Sequence, residues 1–191
     1  IPVIAVPLGN MAMAMARLVD TAKLPPARAA ASKRIVEAMA AGTPVAGFNG
    51  AAFTLGANIE RLSLGGVSAI NGTGNALANI LSGNAATNVL NGLGGVDIMN
   101  GGNGTDIYVA DVFNDAIAET NAVLAIGGND LVNFTGTSGT FTLGLNIERL
   151  TLGGVAAING TGNALANTIT GNAGANTING SGGLDTMSGG N

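Results

Sequence analysis

Between Gly83 and Val109 the sequence reads as three consecutive nine-residue phrases, GNAATNVLN, GLGGVDIMN and GGNGTDIYV. Each opens on Gly, carries Asn88, Asp97 or Asp106 at its sixth position, and carries Leu90, Met99 or Tyr108 at its eighth. A turn half thus precedes a strand half. A unit this short cannot bury its own apolar residue, so it must stack on copies of itself above and below. The composition agrees: 32 of the 191 residues are Gly, against a usual share of about 7%. Trp is absent and only 3% of residues are aromatic, so the core must be thin, built from single rows of Leu, Ile and Val.

The chain has no Cys, which excludes a disulfide framework and a Cys-ligated zinc site. It has no His either. That removes the commonest general base, the H-E-x-x-H zinc motif and every Ser/His or Cys/His nucleophile pair. A carboxylate pair or a Lys/Tyr mechanism would have to carry any chemistry; the sequence shows no catalytic constellation, and these residues read as a non-enzyme. Charge is divided along its length: residues 1–48 hold five cations and two anions, whereas from residue 49 onward two cations face nine anions. The acidic part is a poor partner for nucleic acid, whose phosphates call for Lys and Arg. It suits a divalent cation.

Residues 53–103 recur as 141–191, an offset of 88, so one long unit is present twice. Each copy begins FTLG-x-NIERL-x-LGG, with short alternating strands between Gly and Asn turns. The recurring Glu60-Arg61 and Glu148-Arg149 read as structural ion pairs. The apolar ladder runs Ile70, Leu81, Leu90, Met99, Tyr108, then Ile158, Ile169, Ile178, Met187. Its first step, Ile70 to Leu81, is two residues longer than the rest and predicts a two-residue insertion.

Residues 1–48 are different in kind. The opening IPVIAVPLGNMAMAMA is apolar but interrupted by Pro2, Pro7, Gly9 and Asn10, and falls short of the ~20 apolar residues that a membrane helix needs. No membrane span is expected. After Pro25-Pro26, good helix formers followed by Gly42 predict a helix over about 27–41, read as a cap on the solenoid end.

The second and third phrases resemble the calcium-binding nonapeptide of RTX (hemolysin-type) secreted proteins, G-G-x-G-x-D-x-U-x, where U is a large apolar residue. Gly101, Gly102, Gly104, Asp106 and Tyr108 fill every fixed position; Gly92, Gly95, Asp97 and Met99 fill all but one, where Leu93 stands. The resemblance implies an all-β fold: a right-handed parallel β-roll with two phrases per turn and calcium in the turns. In such a roll an Asp stacks on the residue eighteen positions away. Asp97 would then lie over Asn79 and under Asp115, Asp106 over Asn88, and Asp185 over Asn167.

Gly-rich turns can direct carbonyls inward, and Asp supplies charge. The candidate calcium ligands are therefore Gly92, Gly95, Asp97, Gly102, Gly104, Asp106, Gly183 and Asp185. At Asn79, Asn88, Asn167 and Asn176, amide ladders in place of calcium are expected. The domains expected are a partly helical N-terminal segment (1–48), a first repeat block (49–110), an acidic connector (111–136) with solvated carboxylates, and a second block (137–191) that breaks off within a phrase.

The function implied is a calcium-binding β-roll module of an extracellular or cell-surface bacterial protein exported by a type I system, folding as it binds calcium. The alternatives are an accessory module of a secreted protease, lipase or alginate epimerase, or a surface-layer, adhesin or filament protein that self-associates through solenoid ends.

Overall fold

The computed structural model describes residues 51–121 and 127–190, together with the backbone of 35–38. All described residues fall within one compact unit, Arg34–Asn191. The apolar opening and most of the helix expected over 27–41 lie outside the described residues. The described part of that stretch is not helical: Ile35–Ala38 forms a strand, β1, parallel to Arg61–Leu64 (β3). Its Ile and Val favour the extended form once a neighbouring edge is there to pair with.

The remaining elements are short strands: β2 (Ala51–Thr54), β4 (Ile70–Thr73), β5 (Ile80–Ser82), β6 (Val89–Asn91), β7 (Ile98–Asn100), β8 (Ile107–Ala110) and β9 (Ala116–Ile117). After them come β10 (Leu131–Phe134), β11 (Thr140–Thr142), β12 (Arg149–Leu152), β13 (Asn159–Thr161), β14 (Thr168–Thr170), β15 (Ile178–Asn179) and β16 (Thr186–Ser188). The described residues form a parallel β-solenoid. Even-numbered strands form one eight-stranded sheet; odd-numbered strands form a five-stranded sheet from β1 to β9 and a three-stranded sheet from β11 to β15.

The register follows the nine-residue phrase. Partners lie eighteen residues apart in pairs such as Ile80↔Ile98, Val89↔Ile107 and Thr168↔Thr186. Alternate side chains point inward, and Leu62, Leu81, Leu90, Met99, Tyr108, Val132, Leu150 and Ile169 form the central buried rows, joined by Leu64, Phe134 and Leu152 in the four-residue strands. The expected ladder needs one correction. Leu90 pairs with Gly72, not Ile70, and Leu81 pairs with Leu62, nineteen residues away. The extra residue is single and lies before Gly72. A Cβ there would stand 3.0 Å from Leu62 and 3.1 Å from Leu90, so the slot is glycine's because its neighbours already fill the space. Gly160 repeats this against Leu150 and Ile169 in the second copy.

The two copies lie half a turn out of phase. Phe53 belongs to β2 on the even face, whereas its counterpart Phe141 belongs to β11 on the odd face. Nine strands separate them, an odd number. Asp97 therefore precedes an odd strand and Asp185 an even one, which puts them in opposite columns of turns. The stretch 111–136, expected as a connector, contributes β9 and β10 to the sheets, and its longer turn makes the step from Ile107 to Leu131 twenty-four residues. Phe134 and Phe141, with ring centroids 4.9 Å apart, fill the interior beside it.

Candidate metal centre

Within the nine-residue phrases, two kinds of turn join the strands. Those of the first kind, 74–79, 83–88, 162–167 and 171–176, hold Asn at positions two and six. The position-six Oδ1 accepts the position-two N–H: Asn75 to Asn79 at 2.7 Å, Asn84 to Asn88 at 2.8 Å, Asn163 to Asn167 at 2.7 Å and Asn172 to Asn176 at 2.8 Å. The position-six Nδ2 donates to a carbonyl of an earlier turn, as from Asn88 to Ile70 O at 2.6 Å and from Asn176 to Ile158 O at 2.6 Å. The position-two Nδ2 donates to two carbonyls of the turn beneath: Asn75 to Gly56 O and Ile59 O, Asn163 to Gly144 O and Ile147 O. Amide protons thus occupy the space that faces those carbonyls.

The second kind, 92–97, 101–106 and 180–185, closes on Asp. Position two has positive φ, at Leu93 (60°), Gly102 (97°) and Ser181 (66°), as does position four, at Gly95 (114°), Gly104 (105°) and Gly183 (106°). Only glycine adopts the position-four values without strain. In this conformation the position-two N–H turns away from the position-six side chain. Leu93 N–H goes to Asn91 Oδ1 and Ser181 N–H to Asn179 Oδ1, both at 3.0 Å. Gly102 N–H goes to Glu119 Oε2 at 3.2 Å.

Each Asp Oδ1 accepts a backbone N–H from one turn below: Asn79 to Asp97 and Asn88 to Asp106 at 2.7 Å, Asn167 to Asp185 at 2.9 Å. The second oxygen is left over. Asp97 and Asp106 are fully buried, yet Oδ2 of each has no hydrogen-bond partner. It packs against the first glycine of its own turn, Gly92 or Gly101, where a Cβ would overlap it. Burial pushes both carboxyls up to about 6, against the opposing pull of the Asn79 or Asn88 N–H; the charges of Asp115 and Asp111 add to the rise at Asp97. Asp185 is only half-buried.

Of the eight candidate ligands, the structure thus groups Gly92 and Gly95 with Asp97, Gly102 and Gly104 with Asp106, and Gly183 with Asp185. Gly101 and Gly180, at position one, were missed, although the regular opening Gly marks them. The carboxylates of 111–136 were also misjudged: Asp115, Glu119 and Asp130 are buried, not solvated. Asp115 and Asp130 take the next place in the ladder, accepting the N–H of Asp97 at 2.9 Å and of Asp106 at 2.7 Å. Glu119 accepts the Gly101 N–H at 2.9 Å and the Tyr108 hydroxyl. Burial pushes Glu119 and Asp130 up to about 7 and raises Asp115 as well.

The expected ion pairs do not form. Successive residues of a strand face opposite ways, so Glu148 turns inward to accept the Asp130 N–H at 2.9 Å while Arg149 is exposed.

An unpartnered buried carboxylate oxygen fits a cation. Calcium takes six to eight oxygens, carboxylate and carbonyl alike. Among the described residues no three acidic side chains are grouped to hold a metal. An ion here would therefore draw on one or two carboxylates and on turn carbonyls.

The RTX calcium-binding nonapeptide repeat matches the chain in four copies, over residues 73–108 and 161–191. These two stretches are RTX repeats. They include all three Asp turns and all four Asn turns, and they exclude Asp111, Asp115, Glu119, Asp130 and Glu148. No curated protein and no solved structure matches the chain. RTX repeats folded as a β-solenoid fit a calcium-binding β-roll module. Among the described residues, no helix is long and apolar enough to cross a membrane.

Proposed function

We propose that this chain is a calcium-responsive structural module of an extracellular protein, one that folds as it binds calcium and presents or stabilises whatever it is joined to. The carrying observation is the pair of buried, unpartnered oxygens, Asp97 Oδ2 and Asp106 Oδ2. A buried carboxylate without a donor is costly, and ordering a Gly-rich chain costs conformational entropy. A cation supplies the missing partner and stabilises only the folded chain. Gly92, Gly95 and Asp97 would hold one ion and Gly102, Gly104 and Asp106 another, with Asp185, Gly183 and their neighbours forming a weaker third site.

Low carboxylate count per ion places the affinity in the weak range, ~0.1–1 mM, that serves extracellular calcium. Type I export of an unfolded, calcium-free chain is consistent with that range. The test is far-UV circular dichroism in excess chelator, followed by calcium to several millimolar. Conversion of a disordered spectrum to β supports the proposal; a β spectrum indifferent to calcium sinks it.

A further inference from the structure

We infer that the cation site of Asp97, in the last odd-column RTX turn, takes a second carboxylate ligand where the first repeat block ends: Asp111 of the glycine-poor turn stacked on it. The inference rests on reading the Asp turns as calcium turns, and it places a ligand outside the RTX pattern. The β6–β8 register pairs Asn91 with Val109, and Gly92 N–H donates to Val109 O at 3.4 Å. Continued by two residues, this register sets Asp111 beside Leu93, directly over the turn that Asp97 closes.

Asp111 Oδ1 is buried and has no hydrogen-bond partner, as is Asp97 Oδ2. The two carboxylates are close enough for the charge of Asp111 to act on Asp97. Asp115, whose charge also acts on Asp97, is already committed. Its Oδ1 accepts the Asp97 N–H at 2.9 Å, and its Oδ2 accepts the N–H of Asp111 at 3.2 Å and of Val112 at 3.4 Å. Asp115 thereby does for the ADVFND turn what Asn79 does for its own: its side chain accepts the position-two N–H and shapes a turn that lacks glycine. Asp97 and Asp111 are each left with a buried oxygen that has no partner.

Among the described residues no protein cation is at hand. The sequence has no Lys, Arg or His between Arg61 and Arg149, and both arginines are exposed. A hard divalent cation, calcium above all, matches two carboxylate oxygens supplemented by turn carbonyls. Such an ion would tie the final turn of the block, 111–115, to the RTX turn below and fix the point where the regular repeat gives way to the longer turn.

The experiment is calorimetric titration of the full chain with calcium, comparing wild type, Asp111→Asn and Asp106→Asn. The prediction is that Asp111→Asn loses one equivalent of bound calcium, or weakens one site at least tenfold, and leaves the Asp106 site unchanged, whereas Asp106→Asn shows the reverse. Melting in chelator should be no lower for Asp111→Asn than for wild type, because the substituted oxygen makes no hydrogen bond. If the Asn variant does not fold, Asp111→Ser is read in the same way. A wild-type isotherm and stoichiometry in the Asp111 variant overturn this inference alone. A wild type that binds no calcium overturns it together with the reading of the RTX turns.

Discussion

The turns that close on Asn88 and on Asp97 follow one another in the chain and share the same nine-residue frame, yet they satisfy their buried polar groups by different means. In the Asn turn, position two keeps its N–H directed at the position-six side chain, and amide protons cover the carbonyls below. In the Asp turn, positive φ at Leu93 and Gly95 withdraws that N–H and leaves Asp97 Oδ2 bare. One turn is complete by itself. On the proposed function the other is completed by a cation, which gives the same solenoid calcium-independent and calcium-dependent layers.

The sharpest way to break this contrast is to make the Asp turns resemble the others. Asp97→Asn with Asp106→Asn removes both buried charges. If each site binds with Kd ~0.1 mM, each contributes ~2.7 kcal/mol at 10 mM calcium. The double variant should therefore lose ~5 kcal/mol of calcium-dependent stabilisation while becoming more stable than wild type in chelator. Urea denaturation with and without calcium measures both.

The converse change, Asn88→Asp, deletes the donor to Ile70 O and sets a carboxylate oxygen against that carbonyl. It should cost ~3 kcal/mol or more. Calcium should not restore the loss, because Asn84 still occupies the turn, donating to Gly65 O and Ser68 O. Full rescue by calcium would show that position six alone decides the kind of turn.

Gly95→Ala tests the backbone. Its φ of 114° is strained for any other residue, and a Cβ would stand 2.6 Å from the Leu77 carbonyl carbon and 2.9 Å from Ala78 N. A loss of ~2 kcal/mol is expected with or without calcium. Gly94→Ala, whose Cβ would meet nothing nearer than 3.9 Å, is the control and should be close to neutral.

The last effect is that of pH. Without calcium, Asp97 and Asp106 rise in the folded chain from an ordinary 3.8 to about 6. Between those values the folded chain binds more protons than the unfolded one, so calcium-free stability should increase as pH falls from 7 toward 4. With saturating calcium the slope should reverse, since protons then compete with the ion. Melting temperatures across this range, in chelator and in calcium, check both signs.

The eighteen-residue stacking was legible because the resemblance to the RTX nonapeptide implies two nine-residue phrases per turn. It put Asp97 over Asn79 and Asp106 over Asn88, as the hydrogen bonds show. Gly72 was not legible, since a glycine in a core row looks like a turn residue and the nearby Ile70 drew the ladder to itself. Asp130 was missed for another reason. The twenty-four-residue step between β8 and β10 breaks the arithmetic, and only the structure shows Asp130 continuing the ladder. The glycines marked the Asp turns correctly, but the role of position-two Asn as donor to the turn beneath depends on side-chain geometry that composition does not encode.

Diffraction from crystals of the full chain grown in calcium, with the anomalous signal of the ion recorded, tests the central claim most directly. Peaks beside Asp97 and Asp106, and none in the turns of Asn79, Asn88, Asn167 or Asn176, are what the two kinds of turn predict. Calcium in the Asn turns, or its absence from those of Asp97 and Asp106 at saturating concentration, would contradict the account.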